Sequence, residues 1–84
     1  MIIEITIKED IEKFYIYRAA LMKIAQTDDI SGWSDKDNLC YSVELDENIK
    51  RTAILVNALL ETNRNLDYTL TVDGKTMDDF LNCE

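Results

Sequence analysis

Residues 3–8 have the sequence Ile-Glu-Ile-Thr-Ile-Lys, in which apolar and polar side chains alternate. The run is rich in β-branched residues, which favour strands, and its period of two predicts a strand with one buried face. Residues 39–45 and 66–72 alternate in the same way, and the second of these runs ends at the turn-forming pair Asp73 and Gly74. The sequence therefore predicts a sheet of about three strands.

Helical patterns follow the first two of these runs. Asp10 is the expected N-cap of a helix that reaches about Gln26, and Asp46 is the expected N-cap of a second helix that reaches about Thr62. A polar link at residues 63–65 precedes the third strand. Thr76 is expected to cap a short final helix.

Residues 27–38 are mostly turn-forming side chains around Trp33, and they predict a loop, with a short extra strand near Trp33 as the alternative. No repeat or linker divides the chain, so residues 1–84 are expected to form a single small two-layer domain of the α/β or α+β class. The expected order is β-α-β-α-β-α, with the sheet covered by two long helices. Right-handed crossovers are expected wherever neighbouring strands are parallel.

Steps of 100° per residue divide each long helix into a core face and a polar face. The predicted core face of the first helix comprises Ile11, Phe14, Tyr15, Tyr17, Leu21, Met22, Ile24 and Ala25. That of the second comprises Ile49, Thr52, Ala53, Leu55, Val56, Leu59 and Leu60. Ile16 and Ile54 fall on the outward faces, where they are either scattered surface residues or a shared patch for a partner or a second copy. Arg18 falls on the apolar face, and we expect either a stem packed at the core edge with its head paired to a carboxylate or an arginine presented to a partner.

Composition excludes several functional classes. The chain has 84 residues with a net charge of −8, which argues against direct binding to DNA, RNA or an anionic membrane. It has no histidine and no usable catalytic or cofactor motif, so neither enzymatic activity nor a metal or cofactor site is expected. Residues 1–20 lack the features of a signal peptide, and a cytoplasmic location is expected.

Cys40 and Cys83 are expected to be reduced thiols, with a single disulfide as the alternative.

The negative charge is concentrated in residues 27–49, which carry seven acids against Lys36. One interpretation is a solvated surface that keeps a small protein soluble. The other is a partner-binding surface that mimics the phosphates of a nucleic acid and occupies a basic groove. The candidate contact residues are Asp28, Asp29, Trp33, Asp35, Asp37, Glu44, Asp46 and Glu47.

In size, charge and missing chemistry, the chain resembles the small acidic proteins that phages and mobile elements encode against host defence systems, anti-CRISPR proteins among them. The resemblance implies a stoichiometric inhibitor that blocks a host protein at a basic nucleic-acid site or a subunit interface. Two alternatives remain open at this point. One is an adaptor or assembly module that self-associates, for example as a homodimer, or docks through Ile16 and Ile54, and the other is an antitoxin-like partner of a basic toxin.

Overall fold

The computed structural model describes residues 1–35, 37–62 and 66–82. Within these residues, a five-stranded sheet and three helices form a small α+β domain. The elements are β1 (Ile2–Lys8), a 3₁₀ turn (Ile11–Lys13), α1 (Phe14–Ala25), β2 (Ile30–Asp35), β3 (Asn38–Glu44), α2 (Ile49–Glu61), β4 (Asp67–Val72), β5 (Lys75–Thr76) and α3 (Met77–Asn82).

The strand order is β2-β3-β1-β4-β5, and every neighbouring pair is antiparallel. The first six strands and helices follow one another in the order β-α-β-β-α-β. In the sheet, β3 lies between β1 and β2, and β1 lies between β3 and β4. This is the ferredoxin-like connectivity, also called split βαβ. Because β1 and β3 are antiparallel, α1 and α2, which follow them, run in opposite directions along the sheet. Fold alone assigns no function to this arrangement.

The predicted three-stranded sheet and the order β-α-β-α-β-α are wrong, because residues 30–35 form β2 where a loop was the first expectation. The extra strand near Trp33, given as the alternative, is the arrangement found. β2 has no alternating apolar pattern, since Ile30 is its one buried residue and the rest are exposed small, polar or aromatic side chains. The strand is stabilised by its pairing with β3, because its own residues have little preference for a strand. The pairing runs from Ile30 opposite Val43 to Asp35 opposite Asn38. β5 is only two residues long and forms beyond the turn at Asp73 and Gly74.

The core lies between one face of the sheet and the two long helices. β1, β3 and β4 alternate as predicted, and their inward residues are buried together with one face of each helix. The buried apolar residues are Ile3, Ile5, Ile7, Leu21, Ile30, Leu39, Tyr41, Val43, Ala53, Val56, Leu60, Leu70 and Val72. The opposite face of the sheet has no helix against it in the described part of the chain, and it is mostly polar.

Both long helices begin later than predicted. The carbonyl of Asp10 accepts a hydrogen bond from the Lys13 N–H at 3.0 Å, but its side chain makes no capping bond, and α1 starts only at Phe14. Asp46 lies in the loop before α2, whose N-cap is Asn48 in the left-handed conformation, where asparagine is better tolerated than most residues. The Thr76 hydroxyl accepts from the Asp79 N–H at 3.2 Å and caps α3, as predicted.

The delayed helix starts and the helix orientations change the predicted core faces. Ile11 and Tyr15, predicted to be buried, are exposed beside the 3₁₀ turn, which breaks the helical periodicity. Leu55 and Leu59 on α2 are also exposed, because α2 is buried along the narrower face of Thr52, Ala53, Val56 and Leu60.

An aromatic contact fixes α1 over β2 and β3. The rings of Phe14 and Tyr41 stack with centroids 5.3 Å apart, and the Tyr41 hydroxyl donates to the Phe14 carbonyl at 2.6 Å. Gly32 makes this approach possible, since a Cβ atom there would lie 2.8 Å from Phe14 Cζ. The packing of α1 on the sheet therefore requires glycine at position 32, although glycine in this part of the sequence is typical of a turn.

Tyr41 gives a pH-dependent prediction. Burial raises the pKa of Tyr41 from 10.0 to about 12, with smaller contributions from Tyr17 and Cys40. The unfolded chain releases this proton first, so the free energy of unfolding is unaffected below pH 10 and falls between pH 10 and 12. The two-unit shift corresponds to a loss of about 2–3 kcal/mol.

Urea denaturation at a series of alkaline pH values measures this effect. Tyr41→Phe removes the ionisable hydroxyl and should flatten the decline, although it also removes a hydrogen bond at every pH. Tyr15→Phe makes the same change at an exposed tyrosine on α1 and is the matched control. An equally steep decline in Tyr41→Phe and in the control would contradict the assignment to Tyr41.

Candidate functional site

The eight acidic and aromatic residues singled out in the sequence fall into three places. Asp28, Asp29, Glu44, Asp46 and Glu47 lie at the end of the sheet where β2 begins and β3 ends, and we call this set the acidic end. Trp33 lies in the middle of β2, and Asp35 and Asp37 lie at the β2–β3 turn. The two ends of β2 are separated by about 17–20 Å, the length of a six-residue strand. The structure therefore divides the acidic block of the sequence into two surfaces.

Two loops build the acidic end. The first joins α1 to β2 and carries Asp28 and Asp29, and the second joins β3 to α2 and carries Asp46 and Glu47. Pairing of Ile30 with Val43 brings the two loops together. The second loop is also fixed to β1, because the Leu45 N–H donates to the Met1 carbonyl at 2.9 Å and the Met1 ammonium donates to the Leu45 carbonyl at 3.0 Å.

The loops and the adjoining helix ends surround an open concavity of about 520 Å³. Four carboxylates, those of Asp29, Glu44, Asp46 and Glu47, line this concavity, and Arg51 on the first turn of α2 is the one basic residue that lines it. Within residues 1–35, 37–62 and 66–82, no side-chain oxygen of the acidic end takes part in a salt bridge or a hydrogen bond. These carboxylates are exposed, so their negative charge is available to a partner.

The sequence did not single out Arg51 as part of this site. It lies five residues beyond Asp46, and the delayed start of α2 places it on the first helical turn, facing the loop acids. A basic residue among four carboxylates gives the concavity one internal positive charge. The concavity as a whole remains strongly acidic.

The helix layer carries the second surface predicted from the sequence. Ile16 is 67% exposed and Ile54 is 43% exposed, so both face outward as expected. Ile16 lies on the first turn of α1 and Ile54 in the first half of α2, and since the helices are antiparallel the two side chains are offset along the helix pair. Exposed Leu55 and Leu59 enlarge the apolar part of α2 beyond what was predicted.

Arg18 and the cysteines are placed as follows. Arg18 is half-buried, and its Nη1 donates to Met22 Sδ at 3.1 Å. Within the described residues it has no carboxylate partner. The expectation that its guanidinium pairs with a carboxylate is therefore wrong. Cys40 is a free, half-buried thiol on β3. Cys83 and the predicted link at residues 63–65 lie outside the described residues.

The open face of the sheet offers little for stacking nucleobases. RNA-binding domains with a sheet of this kind stack bases on aromatic residues of the sheet. The open-face positions of β1 are Ile2, Glu4, Thr6 and Lys8, and those of β3 are Asn38, Cys40, Ser42 and Glu44. Trp33 pairs with Cys40 and therefore also belongs to this face, but it lies on the edge strand β2.

In the part of the chain that the structure describes, no cluster of three or more Cys, Asp or Glu side chains is arranged to hold a metal ion. In the same part, none of the helices has the length and apolar character needed to cross a membrane.

Comparisons with protein-family models, with curated proteins and with solved structures each find no match.

Proposed function

We propose that this chain is a non-enzymatic binding protein that blocks a protein partner by docking its acidic end onto a basic surface, in the manner of a nucleic-acid mimic. The observation that carries the proposal is the convergence of five exposed, unpaired carboxylates, four from two loops and one from the last residue of β3, at one end of the described structure, where four of the five line a concavity. The sequence places three of these acids more than fourteen positions after the first two, and only the β2–β3 pairing brings them together.

Charge favours a basic partner. A concave surface lined by one sign of charge focuses the electrostatic field and speeds the approach of an oppositely charged protein. Proteins that bind nucleic acids carry clusters of lysine and arginine that neutralise phosphates, and a carboxylate cluster of similar spacing competes for them. A nucleic-acid-binding protein is therefore the partner class that this surface fits best.

The experiment is capture of partners from a lysate of the source organism. The test bait carries Asp29→Asn, Asp46→Asn and Glu47→Gln, which remove three charges with little change in shape. The control bait carries Glu4→Gln, Asp67→Asn and Asp78→Asn, three exposed acids outside the acidic end. Both baits have the same net charge, so a difference between them reports where the charge lies.

We expect the wild-type and control baits to recover the same basic protein at low salt, and the test bait to lose it. High salt should release it, because mobile ions screen exposed charges, and added DNA or RNA should compete with it. Equal recovery by the test and control baits would contradict docking through the acidic end.

A second candidate function is self-association or adaptor docking through the helix layer, which the exposure of Ile16, Ile54, Leu55 and Leu59 favours. This function predicts a dimer that is insensitive to salt and is broken by Ile54→Asp, measured by sedimentation equilibrium. Asn82→Asp, at an exposed position on α3, adds the same single negative charge away from this surface and is the control. A monomer at all concentrations would argue against self-association.

An antitoxin-like role would use the same acidic end and would differ only in the partner. The identity of the captured protein separates it from the inhibitor.

A further inference from the structure

The outer edge of β2 is a second outward-facing surface, which begins beside the carboxylate-lined concavity and extends away from it to Asp35. Among the described strands, β2 pairs with β3 alone, so half of its backbone N–H and C=O groups face away from the sheet. Proteins usually protect such an edge with proline, lysine, a bulge or a covering element. Ile30–Asp35 contains neither proline nor lysine, and its register with β3 runs without interruption. The edge therefore presents a regular set of hydrogen-bonding groups.

An apolar cavity adjoins this edge. It has a volume of about 200 Å³ and is lined by Ile11, Phe14, Tyr15, Trp33 and Ser34. Phe14 is held firmly, since it stacks on Tyr41 and meets Tyr15 edge-on with centroids 5.2 Å apart. Ile11, Tyr15 and Trp33 are all more than half exposed, which is unusual for large apolar side chains that lie together.

Acidic residues adjoin the cavity-lining residues in the chain. Asp10 and Glu12 flank Ile11. Asp35 follows Ser34 and ends β2, and Asp37 lies in the β2–β3 turn. The Glu9 N–H donates to the Asp37 carbonyl at 2.9 Å, which holds the β2–β3 turn against the segment that carries Asp10. The nearest described lysine on this segment, Lys13, is paired with Glu9 at 3.4 Å.

These charges argue against a second copy of the chain at this edge. Antiparallel pairing of two β2 strands would place Asp35 of one copy beside Asp28 and Asp29 of the other, and parallel pairing would align each Asp35 with its equivalent. Like charges on adjacent strands are destabilising. A basic segment from another protein would place positive charges beside these acids, so neither repulsion would arise.

We infer that the β2 edge binds an extended segment of a partner protein, which adds a sixth strand to the sheet, inserts one apolar side chain into the cavity and places lysine or arginine beside Asp35 and Asp37. In this mode of recognition the main-chain hydrogen bonds supply affinity and the cavity supplies specificity. The inference does not depend on the acidic end, which lies at the other end of β2.

The test is selection of a displayed random-peptide library on the intact protein. The selected peptides are then synthesised and their affinities measured by fluorescence polarisation. We expect alternating apolar sequences with flanking lysine or arginine, and changes in the NMR amide shifts of residues 30–35. N-methylation of alternate peptide nitrogens, on the edge that faces β2, should weaken binding by about tenfold or more, because it removes main-chain donors.

Two matched variants locate the site. Ile11→Ala with Tyr15→Ala removes two exposed walls of the cavity and should weaken binding by about tenfold. Ile16→Ala with Ile54→Ala alters two exposed residues elsewhere and should leave binding unchanged, as should the amide substitutions at Asp46 and Glu47. Failure to enrich any peptide, shifts confined to other elements, or insensitivity to N-methylation would overturn the inference, and so would pairing of two copies through β2.

Discussion

Leu60→Ala is expected to lower the free energy of unfolding by about 2–5 kcal/mol, the range found for leucines removed from a packed core. Leu60 is 1% exposed on the inner face of α2. The loss includes the transfer energy of the removed carbons and the cavity that they leave. For a small domain, this is a large part of the total stability. Urea denaturation followed by circular dichroism measures it, through the midpoint and the slope.

Leu59→Ala is the matched control, since it makes the same change at the adjacent position of the same helix. Leu59 is 36% exposed, and its replacement should cost about 1 kcal/mol, because much of its side chain already contacts water. Because both variants replace leucine by alanine within α2, the change in intrinsic helix propensity is the same at both positions. Equal losses for the two variants would contradict the orientation of α2 against the sheet.

The second large effect concerns association with the basic partner. Asp29→Lys, Asp46→Lys and Glu47→Lys together reverse the acidic end and change the net charge from −8 to −2. The association rate constant with the captured partner should fall by about 10–1,000-fold at low salt, because the reversed surface repels what the native one attracts. Surface plasmon resonance over a range of salt concentrations measures the rate constant.

A triple reversal at Glu4, Asp67 and Asp78 gives the same net charge and is the control. It should retain most of the association rate, and its salt dependence should stay close to that of the wild type. Equal slowing by both reversals would mean that only net charge matters and that the acidic end has no special role.

The strands that could be predicted from the sequence are those that bury one face. Ile3, Ile5 and Ile7 alternate with polar residues because β1 is central and one side of it is open to water. β2 has no such pattern, since an edge strand beside α1 buries little more than Ile30 and needs Gly32 for the approach of Phe14. Its pairing is set by β3, which lies later in the chain.

The helix faces were predictable only where the helix is regular. The 3₁₀ turn at Ile11–Lys13 shifts the phase of α1, and so the exposure of Ile11 and Tyr15 could not be read from 100° steps that start at Asp10. The outward positions of Ile16, on the first turn of α1, and of Ile54, within α2, were predicted correctly.

The acids of the candidate site were visible in the sequence, but their grouping was not. In the sequence, residues 27–49 form one continuous acidic segment. In the structure, Asp29 and Asp35 lie at opposite ends of β2, which is antiparallel to β3. The same pairing brings Asp29 close to Glu44, fifteen positions later. Such groupings depend on strand register, which composition does not reveal.

Zero-length cross-linking of carboxylates to amines, applied to the complex captured from the lysate and mapped by mass spectrometry, tests docking through the acidic end most directly. We expect cross-links from Asp28, Asp29, Asp46 and Glu47 to lysines of the partner, lost at high salt. Cross-links from Asp67, Asp78 or Asp79 in place of these, or a partner joined equally well at high salt, would contradict it.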